Sequence, residues 1–236
     1  MQPSNSKAAL LQQVREAFPD RFVVGSARKG EVLFWEATDC ESVFGIESGI
    51  AKLVRVGFHG KEWIVSLAGP GEFLALNDVL DRRAHRTSAV ALMPMAVWKV
   101  PARSFREELE RRPDLTATIC RWLVHHVHDL ELSLELFSNG RAEERIANLL
   151  ARMAVACDGE PDDCRRLPFR LTRKDMSAMV GTTPETCSRA LSDLKQWGIL
   201  RETRDHQLHV RISALRSFFR TIENGSAALR PFVPSC

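Results

Sequence analysis

The 236-residue sequence predicts an α+β protein: an antiparallel β-roll, then a long helix, then a small C-terminal domain of helices with a strand hairpin. Three patterns predict it. Short strands punctuated by glycine fill residues 22–100, an apolar stripe at alternating spacings of 3 and 4 follows Pro113, and two capped helices meet at Gly181-Thr182-Thr183. Period-2 runs mark strands and 3.6-residue periods mark helices. The length suits two modest domains.

The chain opens with a short amphipathic segment carrying Leu10, Leu11, Val14 and Phe18. Strands follow at Val32–Trp35, Val43–Ile46, Ile50–Val56, Trp63–Leu67 and Ala96–Val100, with glycines at 30, 49, 60 and 71 between them. His59-Gly60-Lys61 reads as a hairpin turn. Short strands at this spacing close into a small barrel or roll.

Pro101 to Arg112 reads as a helical bridge, and Pro113-Asp114 restarts a longer helix. Within it Cys120, Leu123, Val127, Leu130, Leu134 and Phe137 form a heptad-like seam. Such a seam packs one helix along another, although a single buried helix shows the same stripe. Lying between two compact domains, this helix is expected to be covered by a second copy of the chain. Asn139-Gly140 ends it, and Ile146, Leu149, Leu150 and Met153 mark another amphipathic helix. The acidic stretch Asp158–Asp163 reads as an exposed loop, and the residues from Asn224 as a loosely ordered tail. The expected domains are therefore a roll over 1–112, a dimerisation helix over 113–140, a DNA-binding-type helical domain over 141–223 and a tail over 224–236.

Leu171 to Ile212 is the most informative stretch. Thr172 and Asp175 form a capping box, since a threonine hydroxyl and an acid three residues on can cap each other's backbone groups. Pro184 suits the first position of a second helix that runs to Trp197, and Gly198 stops it. On a helical wheel Cys187, Ala190, Leu191, Leu194 and Trp197 face the domain, while Glu185, Ser188, Arg189, Ser192 and Gln196 face outward. Short polar, arginine and carboxylate groups near a helix N-terminus suit the edges of bases in a major groove. Ile199–Thr203 and Leu208–Ile212 then pair across Asp205-His206 as a wing, from which Arg201, Arg204, His209 and Arg211 can reach phosphates. The whole reads as a winged helix-turn-helix contacting double-stranded DNA, with Thr172 and Thr183 at the helix starts.

Charge and composition agree with this. Residues 1–140 carry 17 basic and 18 acidic side chains, whereas residues 165–220 carry 12 basic and 5 acidic ones. That excess suits a polyphosphate partner, as it would a solvated basic face. The longest nearly apolar stretch, Ala89–Trp98, is broken by Pro94 and falls short of the roughly 20 residues that span a bilayer. No signal-peptide pattern opens the chain, so a cytoplasmic protein with no membrane contact is expected. The cysteines at 40, 120, 157, 164, 187 and 236 include no C-x-x-C pair and are expected to be free thiols. His125, His126 and His128 cannot face one ion from consecutive helical positions, and His59 and His85 alone do not make a barrel metal site. No metal, cofactor or nucleophile–base set is expected, hence no enzyme. Cys187 lies inside the second helix on its core side; a redox role there would work by adding bulk beneath the helix.

The motifs resemble one family. Lys29-Gly30-Glu31, Gly60-Lys61-Glu62, Gly69-Pro70-Gly71-Glu72-Phe73, Arg86-Thr87-Ser88-Ala89, Leu171–Asp175 and Glu185-Thr186-Cys187-Ser188-Arg189 are similar to those of bacterial regulators named for the cyclic-AMP receptor protein and the fumarate-nitrate regulator. The resemblance covers nearly the whole chain, and its most specific part is the recognition-helix pattern E-x-x-S-R. It implies a cyclic-nucleotide-binding-like roll, a dimer helix and a winged helix-turn-helix reading inverted TTGA-type half-sites, with Glu185 and Arg189 on the G·C and adjacent pairs. It also implies contact with RNA polymerase and, more often, activation. The effector region departs from the cyclic-nucleotide readers. Their Gly-Glu pair falls here on Ala75 and Leu76, and the positions facing the adenine on Leu130 and Glu131, although Glu72, Arg86 and Thr87 remain. An iron–sulfur cluster needs four thiolates, and no cysteine precedes Cys40. The expected protein is thus a homodimeric activator with a degenerate pocket, or alternatively a regulator or repressor gated by a non-cyclic-AMP ligand, a redox change or a gas.

Overall fold

The structure, a computed structural model, describes residues 3–18, 22–57, 62–155, 163–167, 171–203 and 207–223. The turn at His59–Lys61, the acidic loop up to Asp162, Cys157, Arg204, the turn at Asp205-His206, and the tail from Asn224 with Cys236 lie outside these residues. The chain divides into two compact units, Met1–Glu131 and Leu132–Cys236.

The first unit holds α1 (Pro3–Glu16), β1 (Val23–Ala27), β2 (Val32–Phe34), β3 (Ser42–Ser48), β4 (Ala51–Val56), β5 (Glu62–Ala68), β6 (Phe73–Leu74), α2 (Leu76–Asp81), β7 (Ser88–Ala91), β8 (Met95–Pro101) and α3 (Ala102–Arg111). It also holds the first part of α4 (Pro113–Asn139). Two four-stranded antiparallel sheets, in the orders β1-β8-β3-β6 and β2-β7-β4-β5, make the roll. Strand β8 shows how period 2 builds two cores at once. Its Met95 and Val97 point into the roll with Phe34, Ile46, Ala51 and Leu74, while Trp98 and Val100 point outward onto α1, α3 and α4. That outer core contains Leu10, Leu11, Val14 and Phe18, with Phe18 stacked on Phe105 at 5.5 Å. Leu115, Ile119 and Trp122 fasten the first half of α4 to it, and the Trp122 indole donates to the Gly71 carbonyl at 3.1 Å. Gly45 is required here, because a Cβ at that position would run into the Trp98 ring. Strands β1, β6 and β7 and the short α2 are additions to the strands named from the sequence; β1 is mostly exposed and shows no apolar alternation, and β6 is two residues long.

The second unit contains the end of α4, α5 (Ala142–Val155), β9 (Cys164–Arg166), α6 (Arg173–Val180), α7 (Pro184–Gln196), β10 (Leu200–Glu202), β11 (Leu208–Arg211) and α8 (Ile212–Glu223). The wing is a three-stranded antiparallel sheet, β10-β11-β9, not the isolated hairpin the sequence suggested. Strand β9 pairs Arg165 with Val210; three residues with two arginines carry no legible strand signal. Helix α8 was also unread, although Leu215 and Phe218 bury one face of it. Asp163 caps its start, accepting from the Ser213 amide at 2.7 Å and from the Ser213 hydroxyl. Trp197 at the end of α7 stacks on Phe218 at 5.7 Å, so α8 supports the back of α7.

Candidate nucleic-acid interface

Both helices of the turn motif start as their capping residues dictate. Thr172 accepts from the Asp175 amide at 3.0 Å, and Asp175 returns a bond to the Thr172 amide at 3.3 Å, completing the box. Gly181, at φ +65°, ends α6 in the left-handed conformation that glycine adopts most readily. Thr183 then caps α7, accepting from the Thr186 amide at 3.2 Å, with Pro184 at the first helical position. These local rules fix where α7 begins, and therefore which residues occupy its first two turns.

The faces of α7 divide as the wheel predicts. Cys187, Ala190, Leu191 and Leu194 are buried, while Glu185, Arg189, Ser192 and Gln196 are exposed and Ser188 is half-buried. The Ser192 hydroxyl donates to the Ser188 carbonyl at 3.0 Å, leaving its lone pairs outward. Glu185 and Arg189 make no ion pair or side-chain hydrogen bond with other described residues. Cys187 is wholly buried, and burial pushes its thiol pKa up, the reverse of the shift that activates a thiolate. Cys187 is therefore a packed thiol under α7, and the redox role weighed from the sequence lacks the exposure it requires.

Around α7, Thr172 and Thr183 sit exposed at helix starts, and Arg201 is exposed on β10 opposite His209 of β11. Arg204 is outside the described residues. Glu202 of β10 pairs with Lys195 of α7, tying wing to helix. Two cations that the sequence reading passed over, Arg173 and Lys174, are exposed in the first turn of α6 beside the Thr172 cap. Being next to a cap was the signal available, since backbone N–H groups at a helix start already favour a phosphate.

The polar residues of the roll behave differently. Glu72 accepts from the Gly69 amide at 2.8 Å and pairs with Lys7 at 3.2 Å. Arg86 pairs with Asp78 of α2 at 3.4 Å. Thr87 is half-buried, and the next hydroxyl, Ser88, is buried and accepts from the Glu36 amide at 2.8 Å. Leu76 is buried in the outer core where a cyclic-nucleotide reader carries its carboxylate. Ala75 before it holds φ +62°, in the left-handed region that glycine adopts most readily.

His85 adds a buried titratable group to this cluster. It is 4% exposed, its ring stacks on Phe34 at 3.9 Å, and its Nδ1 lies 3.6 Å from Asp78. Burial lowers its pKa, against the opposing pull of Asp78. The neighbouring Cys40 thiol is pushed up to about 11, first by burial and then by Asp78. Among the described residues no group of three metal-ligating side chains converges.

Along α4, Cys120, Val127, Leu130, Leu134 and Phe137 are exposed. Leu123, which spacing assigned to the seam, is partly buried against the outer core, and its neighbour Val124 is 52% exposed. No described helix is long and apolar enough to cross a membrane.

Residues 24–112 match the cyclic nucleotide-binding domain, and residues 144–218 match the Crp-like helix-turn-helix domain. The chain is 27% identical over 173 residues to transcriptional activator protein anr of Pseudomonas aeruginosa, covering 73% of this chain and 70% of that one. It is 25% identical to the cyclic AMP receptor protein of Thermus thermophilus, covering 73% and 77%. The solved structure of FixK2 from Bradyrhizobium japonicum superposes with a TM-score of 0.66 at 26% identity, covering 83% of this chain and 96% of that one. These relatives are regulators rather than enzymes. A nucleotide-binding-type roll joined to a DNA-binding helix-turn-helix, in this order, places the chain in the cyclic-AMP receptor protein and fumarate-nitrate regulator family of bacterial transcription regulators.

Proposed function

We propose that the chain is a cytoplasmic, homodimeric transcription activator that reads a near-palindromic TTGA-type site, with one α7 in each major-groove half-site. The observation that carries this reading is the outward face of α7. Glu185 and Arg189 stand exposed on its first two turns with no tie to other described residues. Arginine offers two parallel donors to guanine O6 and N7, and a carboxylate accepts from the cytosine amino group. Ser188 and Ser192 flank them, while Thr183, Thr172, Arg201 and Arg204 supply phosphate contacts that set register. Half-sites about 34 Å apart require a two-fold partner. The exposed α4 stripe from Cys120 through Val127, Leu130 and Leu134 to Phe137 is the face that a second copy would cover. Activation is supported by the name of the Pseudomonas relative, a transcriptional activator; contact with RNA polymerase belongs to the same proposal.

Cyclic AMP has no place in this reading, because Leu76 stands in place of the carboxylate and Glu72 is held by Gly69 and Lys7. An N-terminal four-thiolate cluster has no place either, since Cys40 is the first cysteine. A second reading is favoured by the left-handed turn at Ala75: the roll is still shaped for gating, by another small ligand, a redox change or a gas, and the bound dimer then activates or represses accordingly.

The test is fluorescence anisotropy of ligand-free, air-exposed protein on a duplex with inverted TTGAT/ATCAA arms beside a scrambled duplex at equal salt. Selective binding is expected. Equal binding to both duplexes would refute the assigned half-site. Val127→Glu/Leu134→Glu is expected to yield monomers in sedimentation and to weaken specific binding about 10²–10⁴-fold, since bivalent engagement is lost.

A further inference from the structure

One arginine belongs to neither the α7 face nor the α4 stripe. Arg145, in the first turn of α5, donates from Nε to the Gly140 carbonyl at 3.1 Å. Its Nη1 donates to the Val180 carbonyl at 3.2 Å and the Gly181 carbonyl at 3.4 Å. Its guanidinium lies over the Phe137 ring, 5.5 Å from the centroid. The last carbonyls of a helix have no partner within it. A single side chain here caps the end of α4 and the end of α6 together.

The fit is tight on the opposite side as well. Gly181 abuts Phe137, and a Cβ at Gly181 would run into that ring. Phe137 is the last residue of the outward α4 stripe, and Gly181 begins the turn whose next residues, Thr182 and Thr183, lead into α7. A chain of contact therefore runs from the end of α4 through Phe137 and Arg145 to the start of the helix that carries Glu185 and Arg189.

We infer that Arg145 is a positioning residue for DNA reading: it latches the α6–α7 turn to the C-terminal end of α4, so that the attitude of α7 follows the end of the α4 stripe. This rests on α7 being the reading helix. Arginine is needed because its planar fork presents donors in several directions at fixed geometry. A lysine, with one ammonium on a flexible stem, cannot span carbonyls on two elements while lying flat on a ring. The latch acts within one subunit, and it reaches DNA only through the turn.

The experiment has two arms on the full-length chain. In the first, hydrogen exchange is measured on free protein. Arg145→Gln is expected to speed exchange of the amides over 177–187 on the order of tenfold, as loss of charge-assisted bonds would. Exchange in β3 and β8 stays unchanged. Phe137→Leu is expected to speed the same amides by less, and Arg145→Lys to recover only part of the loss. Unchanged exchange in Arg145→Gln, full recovery with Arg145→Lys, or a rise that extends equally over β10 and β11 would each overturn the latch. Should Arg145→Gln not fold, the milder Phe137→Leu decides the same question.

In the second arm, the duplex is the one that wild-type protein selects from a randomised pool. Arg145→Gln is expected to lose about tenfold in affinity for that duplex, with little change on a scrambled one and no change in salt slope. A slope smaller by about one ion would make Arg145 a phosphate contact and overturn the inference. If wild-type protein selects no sequence at all, the DNA reading fails, while the exchange arm still decides the latch.

Discussion

The outward face of α7 and the cluster around α2 hold similar side chains, carboxylates, arginines and hydroxyls, yet the chain treats them in opposite ways. On α7, Glu185 and Arg189 are exposed and make no bond to other described residues. Around α2, Glu72 is bonded to Gly69 and Lys7, Asp78 to Arg86 and beside His85, and Ser88 to Glu36. A polar group that the fold has already satisfied gains little from a ligand, because binding must first break what exists. Residue types shared with a binding motif do not by themselves make a binding site. What matters is whether their hydrogen-bonding capacity is still available.

The largest effect that could break this contrast is on α7. Arg189→Ala is expected to cost about 1–3 kcal/mol, roughly 5- to 150-fold, on the specific duplex and to relax preference at one base pair. Competition binding against single-base variants measures it, and uniform weakening across all of them would return Arg189 to the phosphate-contact class. On the other side, Asp78→Asn is expected to lower stability by about 1–3 kcal/mol in urea unfolding, because a buried carboxylate serving Arg86 and facing His85 is removed. Its DNA affinity, measured where the variant is folded, should match wild type. A loss of affinity without loss of stability would mean that the cluster still signals to the DNA.

A smaller effect comes from pH. The folded pKa of His85 is lowered by burial, so below about pH 6.5 the unfolded chain takes up a proton that the folded chain does not. The contribution of this group to stability is complete above that pH and is lost as pH falls toward the lowered folded value. Urea midpoints across this range should therefore fall with acidity more steeply in wild type than in His85→Phe, a variant that keeps the stack on Phe34. The smallest effect is the most telling: cyclic AMP is expected to shift neither the melting temperature nor DNA affinity, since a ligand stabilises only the state it binds. A concentration-dependent rise in melting temperature would show that the roll can reopen its cluster.

Much of this was legible without coordinates. Thr172 with Asp175, and Thr183 with Pro184, are local capping rules, so the start of each motif helix followed from residue type. The outward set on α7 followed from a 100° step per residue. The long α4 followed from Pro113 at one end and Asn139-Gly140 at the other. Strand β9 is not legible because three residues rich in arginine hold no period, whereas α8 carries Leu215 and Phe218 at helical spacing. Leu123, placed on the stripe by spacing, also packs partly against the outer core, a contact that spacing along one helix cannot show.

By itself, the sequence determined what depends on neighbours along the chain: helix starts and stops, strand alternation, the basic C-terminal half, and the E-x-x-S-R pattern of α7. Only the tertiary structure decided what depends on residues far apart. That Asp78 pairs with Arg86 and lies beside His85, that Leu76 is buried in the outer core, and that Arg145 reaches both Gly140 and Val180 are facts of distance after folding. Capping and periodicity act over a few residues, whereas the availability of a charged group is set by every element that packs against it.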